Sequence, residues 1–398
     1  METVQKKKMN IPIAKTVFSD AEFANIVKPL QTGWVVQGPY VKEFEDKWSA
    51  FTGSKYSVAT SNCTTGLHLS LAALGIKEDD EVIVPAFTWI ATANAAEYMK
   101  AKPVFCDIDL ATNNIDVNKI EALITSRTKA IIPVHLFGLA ADMDRVMEIA
   151  KKHNLFVVED AACGFASYYK GKHVGTIGDT GAFSFHPRKA ITTGEGGMIT
   201  TASEKLDEIL RAIRDHGAST SDLQRHHGAR PYILPEFPYL GYNFRMTDIQ
   251  ASIGSTQMDR AKEIHDKRTY WASRYDEFLE NIEWIQTPFK HKDYEHGYQS
   301  YVCLFDPENV KTGKIEKVNT ERNKFMDYLQ KEGISTRPGT HAVHMLGYYK
   351  EKYGFENKDF PNAYAADQCT ITFPVYPSMS EEEFSYVKEA ILNYKINS

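Results

Sequence analysis

The feature that most constrains the fold is an alternation of short apolar runs and amphipathic helical patterns between residues 55 and 170. The apolar runs are rich in Val, Ile and Phe, as strands buried on both faces are. In order, from residue 55, they are KYSVATSN, EVIVPAF, KPVFCDID, AIIPVHLFG and LFVVEDAA. Apolar residues repeat at three and four between them, as in TTGLHLSLAALG from Thr64 and MDRVMEIAKKHN from Met143. The pattern predicts an α/β fold, a mainly parallel sheet flanked by crossover helices.

The rhythm changes after Lys170, where two further apolar runs stand close together. GAFSFH at 181 and GGMITTAS at 196 are too close for a parallel crossover, so one of these strands is expected to run antiparallel. A charged helical pattern then extends from Met246 to about Asn281 and leads to further helices and strands. We predict two domains: residues 1–255, a large domain with an amino-terminal arm, and residues 256–398, a small α+β domain.

Charge and composition exclude several classes of protein. The 398-residue chain has 46 basic and 52 acidic side chains, a net charge of −6, and scattered Lys and Arg, so no nucleic-acid partner is expected. No apolar stretch reaches the roughly 18 residues of a membrane span. METVQKKKMN precedes no apolar export core, and the five cysteines lack a C-x-x-C pair. We expect a cytoplasmic protein without a metal site, although His341 and His344 could share one helical face.

The turn SNCTTGLHLSLAALG places small polar residues between a strand and a helix. Free backbone N–H groups at the start of the helix, its dipole and the hydroxyls of Thr64 and Thr65 could together hold a phosphate. The alternative is an ordinary Ser/Thr helix cap. The glycine fingerprints of other phosphate sites, G-x-G-x-x-G after a strand and G-x-x-x-x-G-K-[ST], are absent from the sequence.

Two further segments carry residues suited to chemistry. FVVEDAA ends a buried strand with Glu159 and Asp160, where open α/β sheets bind ligands. One carboxylate could face a cation; in the alternative, Asp160 caps the next helix. In GAFSFHPRKAITTGEGGMITT, Ser184 and Lys189 follow an aromatic strand. A lysine beside apolar walls can form a Schiff base, and the flanking glycines would let backbone approach a flat ligand.

Together these segments supply a phosphate anchor, a carboxylate for a ring nitrogen and a lysine for an aldehyde. Those are the groups that bind pyridoxal phosphate. Trp89, in PAFTWIATANA, comes just beyond another strand, and its indole could lie flat against the pyridine ring. The alternative for Trp89 is a core aromatic.

The chain resembles the sugar aminotransferases of the DegT/DnrJ/EryC1/StrS family, a branch of the type I aspartate-aminotransferase fold, over nearly its whole length. Seven ordered motifs carry the resemblance: GWVVQGPYVKEFE, SNCTTGLHLSLAALG, VPAFTWIATANA, VVEDAA, FSFHPRKAITTGEGG, LGYNFRMTDIQAS and THAVHML. The resemblance implies that Lys189 binds the cofactor covalently and that Asp160 pairs with its pyridine nitrogen. Trp89 would stack on the ring. Cys163 would lie next to the ring hydroxyl, where many relatives carry Gln or His and a thiol is a poorer hydrogen-bond partner.

The resemblance also implies a homodimer with shared active sites. Thr64, Thr65 and Ser184 would hold the cofactor's phosphate, joined by Asn243 from a second subunit. The aromatic and proline-rich loop HHGARPYILPEFPY precedes Asn243, and such a surface loop usually packs against something. In the alternative, the loop folds back on its own domain.

The implied activity is transfer of an amino group from L-glutamate, which leaves as 2-oxoglutarate, to a keto carbon of a nucleotide-linked sugar for surface glycans. Carbon 4 of a 4-keto-6-deoxy sugar is preferred, because that activity is the commonest among close relatives. One alternative is a dehydratase with the same cofactor, in which His replaces the lysine. The other is a non-catalytic regulatory protein, although Lys189, Asp160 and the phosphate residues would have no reason to occur together in a silent fold.

Overall fold

The computed structural model of the chain describes residues 8–220 and 234–395. Within these ranges the helices are α1 (Asp20–Thr32), α2 (Pro39–Thr52), α3 (Cys63–Ala73), α4 (Ala91–Tyr98), α5 (Val117–Ile120), α6 (Met143–His153), α7 (Glu204–Arg214), α8 (Asp248–Met258), α9 (Ala261–Leu279), α10 (Pro307–Lys311), α11 (Ile315–Lys331), α12 (Gly347–Tyr353), α13 (Pro361–Cys369) and α14 (Glu381–Asn393). Short 3-10 turns occupy Glu121–Leu123, Leu136–Gly138, Val343–Met345 and Asn357–Asp359.

The strands are short and alternate with the helices in the first half of the chain. They are β1 (Tyr56–Thr60), β2 (Glu81–Pro85), β3 (Phe87–Thr88), β4 (Lys102–Cys106), β5 (Thr128–Ile131), β6 (Phe156–Asp160), β7 (Tyr168–Tyr169), β8 (Lys172–His173), β9 (Thr180–Ser184), β10 (Gly197–Thr201), β11 (Ile285–Gln286), β12 (Tyr294–Glu295), β13 (Tyr301–Phe305), β14 (His341–Ala342) and β15 (Thr370–Phe373).

The centre of the described chain is a seven-stranded sheet with the order β1-β10-β9-β6-β5-β2-β4. From β9 to β4 all neighbours are parallel, whereas β10 runs antiparallel to both β1 and β9. The mainly parallel sheet and the single reversal at the 181–201 pair of strands confirm the sequence prediction. All five residues of β2 are buried, as expected for a strand covered by helices on both faces.

The flanking helices show how local sequence sets the ends and the packing of each element. α6 is capped at its start by Asp142, whose carboxylate accepts the Arg145 backbone N–H at 3.3 Å, and at its end by Asn154 in the left-handed conformation (φ 54°). α3 packs closely on β9 and β10 because it presents Gly66 there, where a Cβ would lie 3.5 Å from that of Ala182.

The parallel strands bring their carboxyl ends to one edge of the sheet. β1 leads directly into α3, and β2 leads through β3 to Trp89. β6 ends at Asp160, and β9 ends at Ser184 and leads to Lys189. Because ligands of open α/β sheets bind at this edge, the fold gathers the predicted site residues of the four strands there.

The helical pattern from Met246 to Asn281 is not one helix, as the sequence suggested, but two. α8 ends at Met258 and α9 begins at Ala261. The break is stabilised on both sides: Asp259 accepts a hydrogen bond from Lys47 at 2.8 Å, and Arg260 donates to Glu22 at 2.8 Å. The change of direction lets α8 pack on α1 and α2 while α9 covers a second sheet.

The second sheet, β11-β13-β15, is antiparallel. α9, α11 and α14 contribute side chains to the core around it, and Ile11 joins that core from the amino-terminal segment. Ile11 donates to the Gly333 carbonyl at 2.8 Å and accepts from the Ser335 N–H at 2.9 Å. The division into domains near residue 255, a position inside α8, stays a prediction.

Two segments discussed from the sequence extend beyond the described ranges. Residues 1–7 of the amino-terminal METVQKKKMN and the larger part of the loop HHGARPYILPEFPY, up to residue 233, lie outside them. Inside them, none of the helices is long and apolar enough to cross a membrane.

Candidate active site

Lys189 lies in the loop after β9, with its amine at a cavity on the carboxyl edge of the sheet. The amine donates a hydrogen bond to Cys163 Sγ at 3.2 Å, and the Lys189 backbone N–H donates to the His186 carbonyl at 2.8 Å. The cavity wall is largely apolar; it is lined by Trp48, Ala161, Ala162, Cys163, Phe165, Phe183, Ser184, Phe185, Lys189, Ala190, Ile191 and Gln299. The lysine is therefore placed beside apolar walls, as its strand-end position predicts.

Asp160 is the buried carboxylate at this edge, with 4% of its surface exposed. Its Oδ2 accepts a hydrogen bond from the Thr92 hydroxyl at 2.7 Å, and its Oδ1 accepts the Ala162 N–H at 3.1 Å. Burial raises the pKa of Asp160, although these two hydrogen bonds and the charge of Lys189 oppose the rise. The Ala162 contact closes a local turn and not a helix, so the helix-cap alternative is wrong.

Glu159 is fully buried and has a different environment. One oxygen, Oε2, accepts from His135 Nε2 at 2.8 Å and from the Gly175 N–H at 2.7 Å, and the other accepts the N–H groups of Ile177 and Gly178, both at 2.7 Å. Burial alone would raise the pKa of Glu159, but the His135 contact and these N–H donors lower it overall. Both oxygens of Glu159 are thus used inside the protein.

The predicted phosphate turn forms the start of α3. Asn62 caps this helix: its Oδ1 accepts the Thr65 N–H at 2.9 Å, and Thr65 Oγ1 donates to the Asn62 carbonyl at 2.8 Å. Within the described residues the half-buried side chain of Thr64 makes no hydrogen bond. The turn therefore caps its helix through Asn62, and a phosphate role for Thr64 and Thr65 stays a prediction.

Ser184 lies two strands away from this turn, at the same height along the strands. The strand register pairs Thr60 with Gly197 and Gly197 with Ser184, which places the outer two Cα atoms roughly 10 Å apart. A Cβ on Gly197 would lie 2.5 Å from the carbonyl carbon of Asn62 and 2.7 Å from the backbone nitrogen of Cys63. The close approach at Gly197 is thus made by the protein's own backbone, and not by a flat ligand as the sequence suggested.

Trp89 follows β3 and its side chain is 58% exposed, so the alternative of a core aromatic is wrong. Pairing of β14 with β3 places His341 beside it, with 5.7 Å between ring centroids. His341 lies in β14 and His344 in a 3-10 turn, so the two do not share a helical face. Across the described ranges, no group of three or more His, Cys, Asp or Glu side chains is placed to hold a metal ion.

Asn243 is exposed, because the side chains of its two neighbours, Tyr242 and Phe244, pack against the protein instead. Tyr242 and Phe244 stack on each other and contact His68 of α3, with ring centroids 4.8 and 5.9 Å from the imidazole. The Phe244 carbonyl accepts the Ser61 N–H at 2.8 Å, which fixes the segment beside the start of α3. The structure thus places Asn243 near the predicted phosphate turn of its own chain, with its side chain directed to solvent.

Three residues of the site were missed from the sequence: Thr92, His135 and Gln299. Thr92 had a usable signal, because it lies in the first turn of α4 just after the strand that ends at Thr88, and the two hydroxyls lie 2.9 Å apart. His135 orients Glu159, and its Nδ1 accepts the Ala141 N–H at 3.1 Å. Gln299 lies in the loop just before β13 and gives no local signal.

Comparison with known proteins shows which family the chain resembles over its length. The DegT/DnrJ/EryC1/StrS aminotransferase family matches residues 18–392. The chain belongs to this family. The spore coat polysaccharide biosynthesis protein SpsC of Bacillus subtilis is 37% identical over 389 residues, 98% of each chain. The GDP-perosamine synthase of Escherichia coli O157:H7 is 36% identical over 382 residues, 96% of this chain and 97% of that protein.

Solved structures agree with the fold. The PMP form of Spr1654 from Streptococcus pneumoniae matches with a TM-score of 0.87 at 30% identity, over 96% of this chain and 98% of that one. The PLP form of the same protein matches with a TM-score of 0.86. The predictions of family, type I fold, enzyme class and cofactor are therefore confirmed: this is a pyridoxal-phosphate-dependent sugar aminotransferase.

The residues of this aminotransferase fit that cofactor. A lysine amine borders a cavity, and within the described residues no cationic side chain forms an ion pair with the buried Asp160. An exposed indole, Trp89, and the amino-terminal end of α3 lie at the same edge of the sheet. These are the partners that an aldehyde, a ring nitrogen, a pyridine face and a phosphate require.

Proposed function

We propose that this aminotransferase moves the amino group of L-glutamate to the keto carbon of a nucleotide-linked 4-keto-6-deoxy sugar, releasing 2-oxoglutarate and an amino sugar. The observation that carries the proposal is the placement of the Lys189 amine and the buried Asp160 carboxylate at one edge of the sheet. When bound, pyridoxal phosphate supplies the electron sink that lets the carbon bearing the amino group lose a proton.

Lys189 holds the cofactor and afterwards moves that proton. Its amine is restrained by a hydrogen bond to the Cys163 thiol, a weak acceptor, so little is lost when the amine swings toward a substrate carbon. The backbone of its loop is fixed more firmly, because Gln299 Nε2 donates to the Arg188 carbonyl at 3.0 Å. A mobile amine on a fixed loop suits a base that must serve both half-reactions.

Asp160 keeps the ring nitrogen protonated. A carboxylate buried without a cationic partner is poorly solvated, so a positively charged N–H that reaches it is strongly favoured. Thr92 and the Ala162 N–H fix the two oxygens before the cofactor arrives. Glu159 does not compete for this role, because its oxygens already accept from His135 and backbone amides.

We assign the remaining predicted residues to the face of the cofactor ring, its hydroxyl and its phosphate. Trp89, whose indole is exposed, would stack on the ring, and Cys163, whose thiol accepts from the Lys189 amine, would lie beside the ring hydroxyl. The start of α3, with Thr64 and Thr65, and the hydroxyl of Ser184 hold the phosphate. Ser184 supports this assignment by its place in the sheet, because Gly197 pairs with both Ser184 and Thr60, and Thr60 ends the strand that leads into α3.

The substrate class rests on the relatives. One is named for GDP-perosamine and another for spore coat polysaccharide, and both cover nearly the whole chain at 36–37% identity. We infer that the product is a nucleotide-linked amino sugar destined for a surface glycan, and that the enzyme works in the cytoplasm.

We further infer a homodimer in which Asn243 completes the partner's phosphate site. The segment that precedes Asn243 exposes several large apolar side chains, with Leu240 exposed by 91%: Leu234, Phe237, Tyr239 and Leu240. Such a patch is typical of a surface that packs against another chain. The segment's contact with Ser61 supports the alternative, in which Asn243 serves its own subunit.

The test is a coupled assay with L-glutamate and a panel of 4-keto-6-deoxy and 3-keto sugars on GDP, UDP and dTDP. We expect 2-oxoglutarate and a new sugar amine in equal amounts with one member of the panel. Lys189→Ala should retain less than about a hundredth of this activity, since losing such a base costs roughly 10²-fold or more. Lys129→Ala, at an exposed lysine outside the site, is the matched control. Loss of a sugar hydroxyl without 2-oxoglutarate would identify the dehydratase alternative instead.

A further inference from the structure

A second cavity adjoins the one that holds Lys189. It is lined by Ile13, Ala14, Arg188, Gln299, Ser300, Arg337, Thr372, Phe373 and Val375. Gln299 lines both cavities, and Arg188 precedes Lys189 in the chain. A molecule in the second cavity would therefore lie next to the reacting amine.

Two guanidinium groups, those of Arg188 and Arg337, line this cavity, and no carboxylate does. Within the described residues neither forms an ion pair, and the one side-chain hydrogen bond of Arg337 is a long one to Ser300 Oγ at 3.4 Å. Arg337 Nε is buried without a partner. Burial lowers the pKa of Arg337, the nearby Arg188 charge lowers it further, and Cys163 opposes both. The partly buried Arg337 cation, which lies near a second cation and lacks a carboxylate partner, is costly unless an anion joins it.

Two other buried arginines, Arg214 and Arg268, also have an Nε without a hydrogen-bond partner, but their terminal guanidinium nitrogens are compensated by acceptors within the protein. Arg214 pairs with Glu45 at 2.8 Å and donates to the Ala59 carbonyl at 2.7 Å. Arg268, which lacks a carboxylate, donates to three backbone carbonyls, those of Tyr298, Gln299 and Val375. Arg337 has neither kind of compensation, so a purely structural role explains it poorly.

The walls of the cavity are held in place before any ligand enters. The amino-terminal segment that supplies Ile13 and Ala14 is tied at Ile11 to the backbone of Gly333 and at Thr16 to the Pro187 carbonyl, at 2.8 and 2.9 Å. The Arg337 carbonyl accepts the Thr372 N–H at 2.7 Å. The two cations are thus presented on fixed backbone, which lowers the entropy cost of binding.

We propose that Arg188 and Arg337 form a subsite for an anionic group of the substrate, placing it beside Lys189. The chemistry recognised is a set of anionic oxygens, which a carboxylate of the amino donor or the diphosphate of the nucleotide sugar can supply. The proposal rests on the proposed function, because it assigns the anion to one of that reaction's two substrates.

The experiment titrates the holoenzyme with two unreactive probes, glutarate for the dicarboxylate donor and inorganic pyrophosphate for the diphosphate. Binding is measured by calorimetry for the unsubstituted protein, Arg188→Gln, Arg337→Gln and Arg337→Lys. Arg145→Gln is the control, since Arg145 is exposed and pairs with Glu148 away from the cavity. Thermal melts confirm folding, and the exposed Arg188 provides a variant that leaves the interior intact.

We expect both Gln variants to weaken one probe about tenfold or more, as loss of a charge-assisted hydrogen bond does, with Arg337→Lys intermediate and the control unchanged. Weaker glutarate binding assigns the subsite to the donor, and weaker pyrophosphate binding assigns it to the nucleotide sugar; a loss of both means that the two anions use it in turn. The corresponding half-reaction, followed by cofactor absorbance, should show a raised KM. Unchanged binding of both probes in folded Arg188→Gln and Arg337→Gln overturns the subsite. The proposed function would fail in a different way: the unsubstituted protein would then show no turnover of glutamate, whether or not the probes bind.

Discussion

Glu159 and Asp160 are consecutive residues at the end of β6, and their carboxylates lie on opposite faces of the sheet. Glu159 accepts from His135 and three backbone N–H groups, whereas Asp160 faces Thr92 and the Lys189 side. The first carboxylate is held charged by the fold. The second is buried without a cationic partner among the described residues, so it is available to a ligand.

Asp160→Asn should therefore separate activity from stability. We expect kcat/KM to fall about 10²-fold, as when one preorganised electrostatic partner is removed. The pKa of Asp160 is higher in the folded than in the unfolded protein. Ionisation of Asp160 therefore destabilises the fold, and this effect grows as the pH rises above the pKa of the unfolded state. The cofactor-free variant should thus be at least as stable as the unsubstituted protein at pH 7. Melting curves and steady-state kinetics on the same preparations check both statements.

Glu159→Gln is the matched control for that experiment, with the opposite signature. The pKa of Glu159 is lowered in the fold, so its stabilisation is present at neutral pH and is lost as the pH falls through the folded pKa. The variant should lose about 3–5 kcal/mol of unfolding free energy at pH 7, as when a buried pair is broken, and the difference should narrow below about pH 4. If a stably folded Glu159→Gln loses turnover while Asp160→Asn keeps it, the ring nitrogen has been assigned to the wrong carboxylate.

Thr92→Val tests the residue that the sequence did not reveal. Its hydroxyl donates to Asp160 Oδ2 and holds the pKa of that carboxyl down against burial. Without it, Asp160 should ionise only at higher pH, so the acid limb of kcat/KM should move up by about one pH unit, the equivalent of one hydrogen bond to a charged group. The pH titration of the cofactor's absorbance should move in the same direction. Thr320→Val, at an exposed hydroxyl in α11, should leave both curves in place.

Much of this site could be predicted from the sequence, because it is carried by strand ends. Asp160, Ser184 and Lys189 each follow an apolar run, and parallel strands bring such residues to one edge whatever the loop details are. Gln299, Arg337 and Ile13 could not be predicted in this way. Gln299 and Arg337 lie in loops beside strands of the second sheet, and Ile13 lies in the amino-terminal segment, so only long-range packing places them at the cavity.

Glycine roles were also beyond sequence reasoning, since a glycine's neighbour is known only in the folded chain. Gly197 illustrates the point, because its missing Cβ makes room for the backbone at Asn62 and Cys63. Gly197→Ala should cost about 1–3 kcal/mol of unfolding free energy through overpacking, and it should weaken cofactor binding by displacing the start of α3. Gly347→Ala is the control, because no atom lies within 4 Å of the added methyl group. The measurement is urea unfolding monitored by fluorescence. Equal losses of unfolding free energy in Gly197→Ala and Gly347→Ala would contradict the packing role of Gly197.

Complementation between subunits tests where Asn243 acts. Asn243 is exposed and follows a segment with exposed apolar side chains such as Leu240, which favours action across an interface. The Phe244 contact with Ser61, in turn, anchors the segment on its own chain. If the site is shared, a mixed dimer of Lys189→Ala and Asn243→Ala chains has one site with both defects and one with neither. Random exchange makes about half of the dimers mixed, so roughly a quarter of the unsubstituted activity should return on mixing two impaired parents. The measurement is turnover after subunit exchange, with native mass spectrometry to count mixed dimers. Mixed dimers that form without any gain over the parents would mean that Asn243 serves the site of its own subunit.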